Sequence, residues 1–350
     1  MGQKILVIRM DHLGDVVLTT PLVRALALAG NDVQVIVPKA FLPVFEHSPR
    51  VSAAWSMEVV CPGFPDAWRP LARWIRAQRF DAVLLPYARE KKLLWASFCS
   101  GAKTRIAMWS GVWGRLTLHR CLSSRMLEEP RYFGDIVLDC ARAMEIPLQG
   151  TEPELFLTDA EIARVKAMLS ARFGSRPLVG IHPGCAGNAC NLPPLDYGRL
   201  AETVMAETDC AVVLTGSGKE RALLAAWPAK VLENARLWNS MGELSLRELA
   251  ALINQLSVYV CPSTGPLHLA AALKTPTVSA FCSLKNLSAE VWGNRGGGPA
   301  SVLAPPLEFC LNRRKAERAH CDFCGQIDRA ALARAVRSHL PPVASDGSAR

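Results

Sequence analysis

No apolar run in this chain of 350 residues approaches the roughly 20 that a membrane-spanning helix needs, so no transmembrane segment is expected. The opening MGQKILVIRM lacks the basic region, long apolar stretch and small-residue cleavage site of a secretory leader, which leads to a cytoplasmic reading. The complete glycine fingerprint of a dinucleotide turn is also missing. LTGSGKERALL carries half of it, without the third glycine or an acidic residue closing the following strand, so a nucleotide-dependent oxidoreductase or epimerase is the weakest reading. Acid is scarcer than base, 31 Asp and Glu against 40 Lys and Arg. The resulting net charge of +9 favours acidic partners, and charge alone leaves phosphorylated ligands, anionic lipid and nucleic acid all open; no nucleic acid is among the partners the whole sequence implies. What is present is a half-apolar composition in a chain long enough for two domains with real cores. The 12 cysteines, in a reducing compartment, read as buried thiols and not as a disulfide framework.

Short apolar runs alternate with helix-period segments along the chain. KILVIRM, DVQVIVP, DAVLLPY and TRIAMW read as strands of the first half, with DAWRPLARWIRAQRF among the helices between them. That alternation means parallel strands joined by crossover helices. The pattern restarts after PLQGTEPELFLTD, where Thr158 and Glu161 have capping-box spacing. RPLVGIHPG, CAVVLTGS, SVYVC and TPTVSAFC are the strands of the second half, and SLRELAALINQL opens with a second capping-box pair, Ser245 and Glu248. The expected fold is α/β, two Rossmann-like domains with parallel sheets facing a cleft. Their spans are residues 1–150 and 158–340, followed by a loose tail, 341–350.

In such folds ligands gather where strands end and helices begin. RMDHLGDVVLTTP places Gly14 at a turn and Asp15 at a helix start, where Asp15 is either an N-cap or a reactive carboxylate. GIHPGCAGNAC is a glycine-spaced loop able to bring backbone amides close to a phosphate. LTGSGKE is a third such loop. CPSTGPLHLAAAL starts a helix at Pro266, with Ser263 or Thr264 available to cap it, and puts His268 less than a turn inside. This is either an anion site at a helix N-terminus or a well-packed turn with a satisfied histidine.

The motifs ILVIRMDHLGDVVLTTPLVRAL, VGIHPG followed by LPPLDYGRLAE, VVLTGSGKE, and LSLRELAALINQLSVYVCPSTGPLHLAAALKTPTVSAF occur in this order. Together they resemble the ADP-heptose:lipopolysaccharide heptosyltransferases, glycosyltransferase family nine, with a GT-B fold. The likeness covers most of the chain outside residues 40–130 and the last 40. It implies an inverting, metal-independent glycosyl transfer from an ADP-sugar, with no further cofactor, to a lipopolysaccharide core or similar lipid-linked glycan, and peripheral contact with the inner membrane. Asp15 is then the catalytic base, with His12 next in line. The donor site implied comprises Gly14, His182, Gly184, Gly216, Glu220, Leu244, Ser263, Thr264, Gly265 and His268. Within it Glu220 meets the ribose, Leu244 packs on the base, and the amides around Thr264 and Gly265 hold the diphosphate.

Two positions depart from the family's pattern. Ser263 stands where the helix-start motif carries an aspartate. The loop after HPG puts Cys190 or Asn191 where the family has a cation, leaving Lys219 and Lys274 as substitutes by position. A degenerate, non-catalytic nucleotide-sugar-binding protein is therefore the alternative reading. On the acceptor side, His12, Lys103, Arg105 and Arg120 are the expected contacts. The stretch from Lys103 to Arg131, with Trp109 and Trp113, reads either as a grip on a phosphorylated lipid-linked sugar or as a solvated basic face over two core tryptophans. Cys310, His320, Cys321 and Cys324 read either as a zinc set or as incidental thiols; no metal is assigned to the site.

Overall fold

A computed structural model describes residues 2–88, 90–108, 112–122, 131–185, 189–311 and 326–341. The chain divides between Phe156 and Leu157 into two compact units. The first carries a six-stranded sheet in the order β3-β2-β1-β4-β5-β6. Its strands are β1 (Lys4–Ile8), β2 (Asp32–Val37), β3 (Ala53–Ser56), β4 (Ala82–Leu85), β5 (Thr104–Met108) and β6 (Arg120–Leu122). Every pairing is parallel. The second unit repeats the plan in the order β12-β11-β10-β7-β8-β9. Here β7 is Leu178–Ile181, β8 Ala211–Leu214, β9 Leu237–Asn239, β10 Val258–Val260, β11 Thr277–Ala280 and β12 Ala300–Leu303, again all parallel.

The central strands are sealed on both faces. Ile5, Leu6, Val83, Leu84, Val212, Val213 and Val258 are fully buried, as parallel strands covered by helices require. The crossover helices read as amphipathic. In Trp68–Gln78, Leu71, Ala72 and Ile75 face the core, and Arg79 ends the helix in the left-handed conformation. Both capping boxes form. Thr158 and Glu161 open the helix Asp159–Phe173, and Ser245 and Glu248 open Leu246–Asn254. Arg247 of the second helix bonds Glu161 of the first, and this bond, backed by the cap, takes the Glu161 carboxyl down to about 2.

Arg24, on the helix Thr20–Leu28, fastens the end of the first unit to its body. It donates to the carbonyls of Gln149, Gly150 and Glu152 and pairs with Glu154 at 3.3 Å. In the second unit the helix Arg329–Arg337 returns to Pro194–Glu207, where Arg329 meets the buried Asp196 at 2.8 Å. No helix among the described residues is long and apolar enough to cross a membrane.

Candidate functional site

In the first sheet the connections reverse direction between β1 and β4, so a crevice opens beyond the carboxyl ends of these two strands. The chain leaving β1 places Arg9, Asp11, His12 and Asp15 there. Arg9 is fully buried, with its guanidinium over the rings of Tyr87 and Phe133 at 5.6 and 5.2 Å. Its Nε pairs with Asp11 at 3.1 Å and its Nη2 with Asp15 Oδ1 at 2.8 Å. The other Asp15 oxygen accepts the His12 N–H at 3.1 Å.

The helix begins at Leu13 with His12 in the N-cap position, so Asp15 is its third residue and not its cap. Gly14 likewise lies within this helix and not in a turn before it. The Asp15 side chain, 14% exposed, is thus a carboxylate fixed at both oxygens yet open to solvent. A fixed, reachable carboxylate is what proton abstraction requires. Arg9 gave no sign of this role in the sequence, since a basic residue at a strand end commonly faces water.

The second sheet reverses between β10 and β7, and the same rule puts its crevice beside the loops that follow them. His182 leaves β7 with its N–H on the Val260 carbonyl at 2.8 Å. Its Nδ1 lies 3.2 Å from Thr215 Oγ1, which lies 2.6 Å from the Tyr259 hydroxyl, a buried chain across three strands. Burial holds the His182 imidazole down to about 4, against the opposing pull of the Glu220 carboxylate, so the ring is neutral near pH 7.

Glu220 belongs to a third capping box. Its Oε2 accepts from the Ser217 N–H at 2.7 Å and from Ser217 Oγ at 2.9 Å. The carboxylate rests on Gly184, where an added Cβ would fall 1.7 Å from Oε1, and at Gly216 a Cβ would meet Oε2 at 3.2 Å. His182, Gly184, Gly216 and Glu220 therefore converge. Gly242, with φ +73°, lets a neighbouring loop close against this cradle, since a Cβ there would strike the Gly218 backbone at 2.8 Å. That turn leads to Leu244, half-buried just before the Ser245 cap. Gly242, Ser217, Thr215 and Tyr259 were not singled out from sequence, although the Ser217–Glu220 spacing repeats the capping pattern recognised twice elsewhere.

After β10 the helix Gly265–Ala272 starts with Thr264 as its N-cap residue. The Thr264 hydroxyl makes no capping bond and points back 3.5 Å to the Pro262 carbonyl, so its side chain leaves the first amides to other partners. Ser263 is half-buried in the preceding loop, and His268 is buried within the helix.

Residues 68–298, which hold the second-unit cluster but not the loop of Arg9 and Asp15, match the family model "Glycosyltransferase family 9 (heptosyltransferase)". The chain belongs to glycosyltransferase family 9. A putative glycosyltransferase of Haemophilus influenzae is 26% identical over 330 residues, covering 88% of this chain and 89% of that protein. Lipopolysaccharide heptosyltransferase 2 of Escherichia coli is 27% identical over 292 residues, covering 79% and 82%. Among solved structures, the family 9 glycosyl transferase of Veillonella parvula superposes with a TM-score of 0.76 at 15% identity over 96% of this chain and 97% of that one. ADP-heptose lipopolysaccharide heptosyltransferase II of E. coli gives 0.75 at 23% over 96% and 98%. These likenesses fix the fold as the pair of Rossmann-like domains of the GT-B heptosyltransferases.

At the loop after HPG, where the resemblance leads one to expect a cation, the structure shows two residues in bracing positions. Cys190 is buried in the core of the second unit. Asn191 donates to the Pro183 carbonyl at 2.7 Å and accepts from the Leu192 N–H at 2.8 Å and the Tyr197 hydroxyl at 2.7 Å. Both side chains brace the loop. Of the two substitute cations, Lys219 is exposed on the Glu220 loop, whereas Lys274 follows the far end of the helix Gly265–Ala272.

The expected acceptor contacts do not come together. His12 stands at the carboxyl edge of the first sheet. Lys103 and Arg120 stand where β5 and β6 begin, lining a depression of about 820 Å³ with Gly2, Gln3, Asn31 and His119. They lie at the opposite edge, about 16 Å away along a five-residue strand. Arg105 is spent on its own neighbourhood, donating to Thr117 O at 2.8 Å and Ala102 O at 2.6 Å. Trp109, His320, Cys321 and Cys324 lie outside the described residues. Cys310 is buried with its Sγ 3.7 Å from Cys282 Sγ, and among the described residues no group of three His, Cys, Asp or Glu is placed to hold a metal ion.

Proposed function

We propose that this family 9 protein is an inverting, metal-independent transferase that moves a heptose or related sugar from an ADP-sugar to a lipopolysaccharide-core or similar lipid-linked acceptor. The observation that carries the reading is the fixed Asp15 carboxylate at the switch point of the first sheet. Asp15 takes the proton of an acceptor hydroxyl, whose oxygen attacks the anomeric carbon. The bond to the diphosphate breaks on the opposite face, ADP leaves with its electron pair, and the configuration inverts. On the donor side Glu220, steadied by Ser217, suits the ribose hydroxyls, Leu244 the adenine face, and the amides at the start of Gly265–Ala272 the diphosphate. Backbone donors and a helix dipole supply the charge stabilisation that a divalent ion gives other transferases.

A second reading, a nucleotide-sugar binder without catalysis, is favoured by Cys190 and Asn191, which offer the leaving group no cation. Titration by calorimetry with ADP, UDP and NAD, followed by a transfer assay with ADP-heptose and a heptose-deficient lipopolysaccharide, separates the readings. ADP should bind at least about tenfold more tightly than UDP, and transfer should follow. Binding without transfer selects the second reading, and preference for NAD removes both.

A further inference from the structure

The depression of about 820 Å³ at the amino edge of the first sheet is large enough for a small ligand and belongs to no part of the proposed chemistry. Its wall comes from segments far apart in the chain: the start of β1, the turn before β2, the starts of β5 and β6, and the stretch 143–147. Two cations line it, Lys103 and Arg120, with a single acid, Glu145. Arg120 is the register partner of Ile106, which lies three residues, or about 10 Å, along β5 from Lys103. Two long side chains at that spacing can reach one anion between them. Among the described residues neither cation is paired with a carboxylate. Next to Arg120, His119 accepts the Arg105 N–H on Nδ1 at 3.2 Å, which leaves its proton on Nε2 as a further donor.

Glu145 is an independent signal. The chain leaves the helix Asp139–Arg142 in a Schellman turn, the Ile146 N–H on the Ala141 carbonyl and the Glu145 N–H on that of Arg142, both at 3.0 Å. This puts Glu145 at φ +58°, a left-handed position where glycine is the usual residue and a glutamate is strained. Strain kept at a residue that lines a cavity points to a role there. The Glu145 side chain is exposed and, among the described residues, pairs with no cation. Ile106, Met144 and Ile146 add an apolar wall, and among the described residues no Phe, Tyr or Trp lines the depression.

We propose that this depression binds a small phosphorylated sugar, its phosphate held by Lys103 and Arg120 and its hydroxyl groups by Glu145. A phosphate offers both cations a charge-assisted partner and accepts the His119 Nε2–H. The carboxylate of Glu145 accepts from sugar hydroxyls, and the aliphatic wall meets the carbon skeleton. A nucleotide is the less suitable occupant, because no aromatic ring is there to stack its base. Inorganic phosphate alone would leave Glu145 facing a like charge. The site is a strand's length from Asp15 and does not depend on the reaction performed there.

Calorimetry on the full chain tests it, with glucose 6-phosphate, inorganic phosphate and glucose as probes. Glucose 6-phosphate should bind at least about tenfold more tightly than either of the others, and less tightly as salt is added. The double substitution Lys103→Glu, Arg120→Glu should weaken that binding by at least about tenfold. Both positions are exposed, so the circular dichroism spectrum should stay unchanged. Glu145→Gly separates binding from folding. It should raise the melting temperature by about 2 °C, since the strain is relieved, yet bring glucose 6-phosphate to within about threefold of inorganic phosphate. Saturating ADP should leave the titration as it is, and the readout needs no transfer activity. Glucose 6-phosphate that binds no more tightly than inorganic phosphate, its displacement by ADP, or a Lys103, Arg120 double variant that binds like wild type would each overturn the proposal.

Discussion

A single methyl group at position 184 would come within 1.7 Å of Glu220 Oε1, so Gly184→Ala must push the carboxylate off its bonds to Ser217. The atom displaced ends a flexible side chain, and the fold should survive. Nucleotide affinity should not: losing a placed, charged acceptor costs about 1.5–3 kcal/mol, roughly ten- to a hundredfold, read by ADP calorimetry beside thermal melting. Unchanged affinity would take Glu220 out of the donor site. Cys190 behaves differently. Placing a lysine there would suggest itself as supplying the cation that the resemblance leads one to expect, yet the side chain is only 5% exposed. Burying an ammonium costs several kcal/mol, so Cys190→Lys should lower the melting temperature by about 5 °C or more and leave ADP binding no tighter. Tighter binding at an unchanged melting temperature would show that the side chain reaches the nucleotide. Asp15 could be singled out in the sequence as an Asp after a strand and near a helix start, but that setting left cap and reactive carboxylate both open, and only the resemblance pointed to a base. Arg9 could not, because its partners two and six residues onward meet it only when the loop folds back.

At the scale of elements, His182, Thr215 and Tyr259 tie the ends of β7, β8 and β10, and this chain has a pH signature. Unfolded histidine titrates near 6.5, whereas burial takes His182 to about 4. Between those values the unfolded chain binds a proton that the native protein refuses. Stability from this group is therefore full above about pH 6.5 and falls as pH drops toward 4, by on the order of 2–3 kcal/mol. Urea unfolding of wild type and His182→Asn from pH 7.5 to 4.5 should give a difference that shrinks as pH falls; a pH-independent difference would place the imidazole in water. Strands were legible unevenly for a related reason. The eight read from sequence are the central members of each sheet, buried on both faces. The four not read, β3, β6, β9 and β12, are the edges, and their half-exposed residues never make an apolar run. Composition likewise marked Lys103 and Arg120 as basic. Only strand direction shows that residues before a parallel strand lie opposite those after it, which separates them from His12.

At the scale of the whole molecule, each unit carries its own polar cluster: a fixed carboxylate in the first, and in the second the Glu220–glycine cradle and a helix N-terminus. Asp15→Asn tests whether the fixed carboxylate drives transfer. Asn keeps the shape and can still accept the His12 N–H, but it cannot take a proton. It also leaves Arg9 with Asp11 as its remaining carboxylate partner, at 3.1 Å, so a stability loss of about 1–3 kcal/mol is expected and activity must be read per folded molecule. The direct measurement is ADP release from ADP-heptose in the presence of a heptose-deficient lipopolysaccharide, with EDTA, for wild type and Asp15→Asn. Wild type should turn over at the same rate with and without the chelator. The variant should be slower by about a thousandfold while binding ADP within about twofold of wild type. Turnover by Asp15→Asn within a few-fold of wild type, or wild-type turnover that stops with EDTA and returns with magnesium or manganese, would contradict a metal-free transfer driven by Asp15.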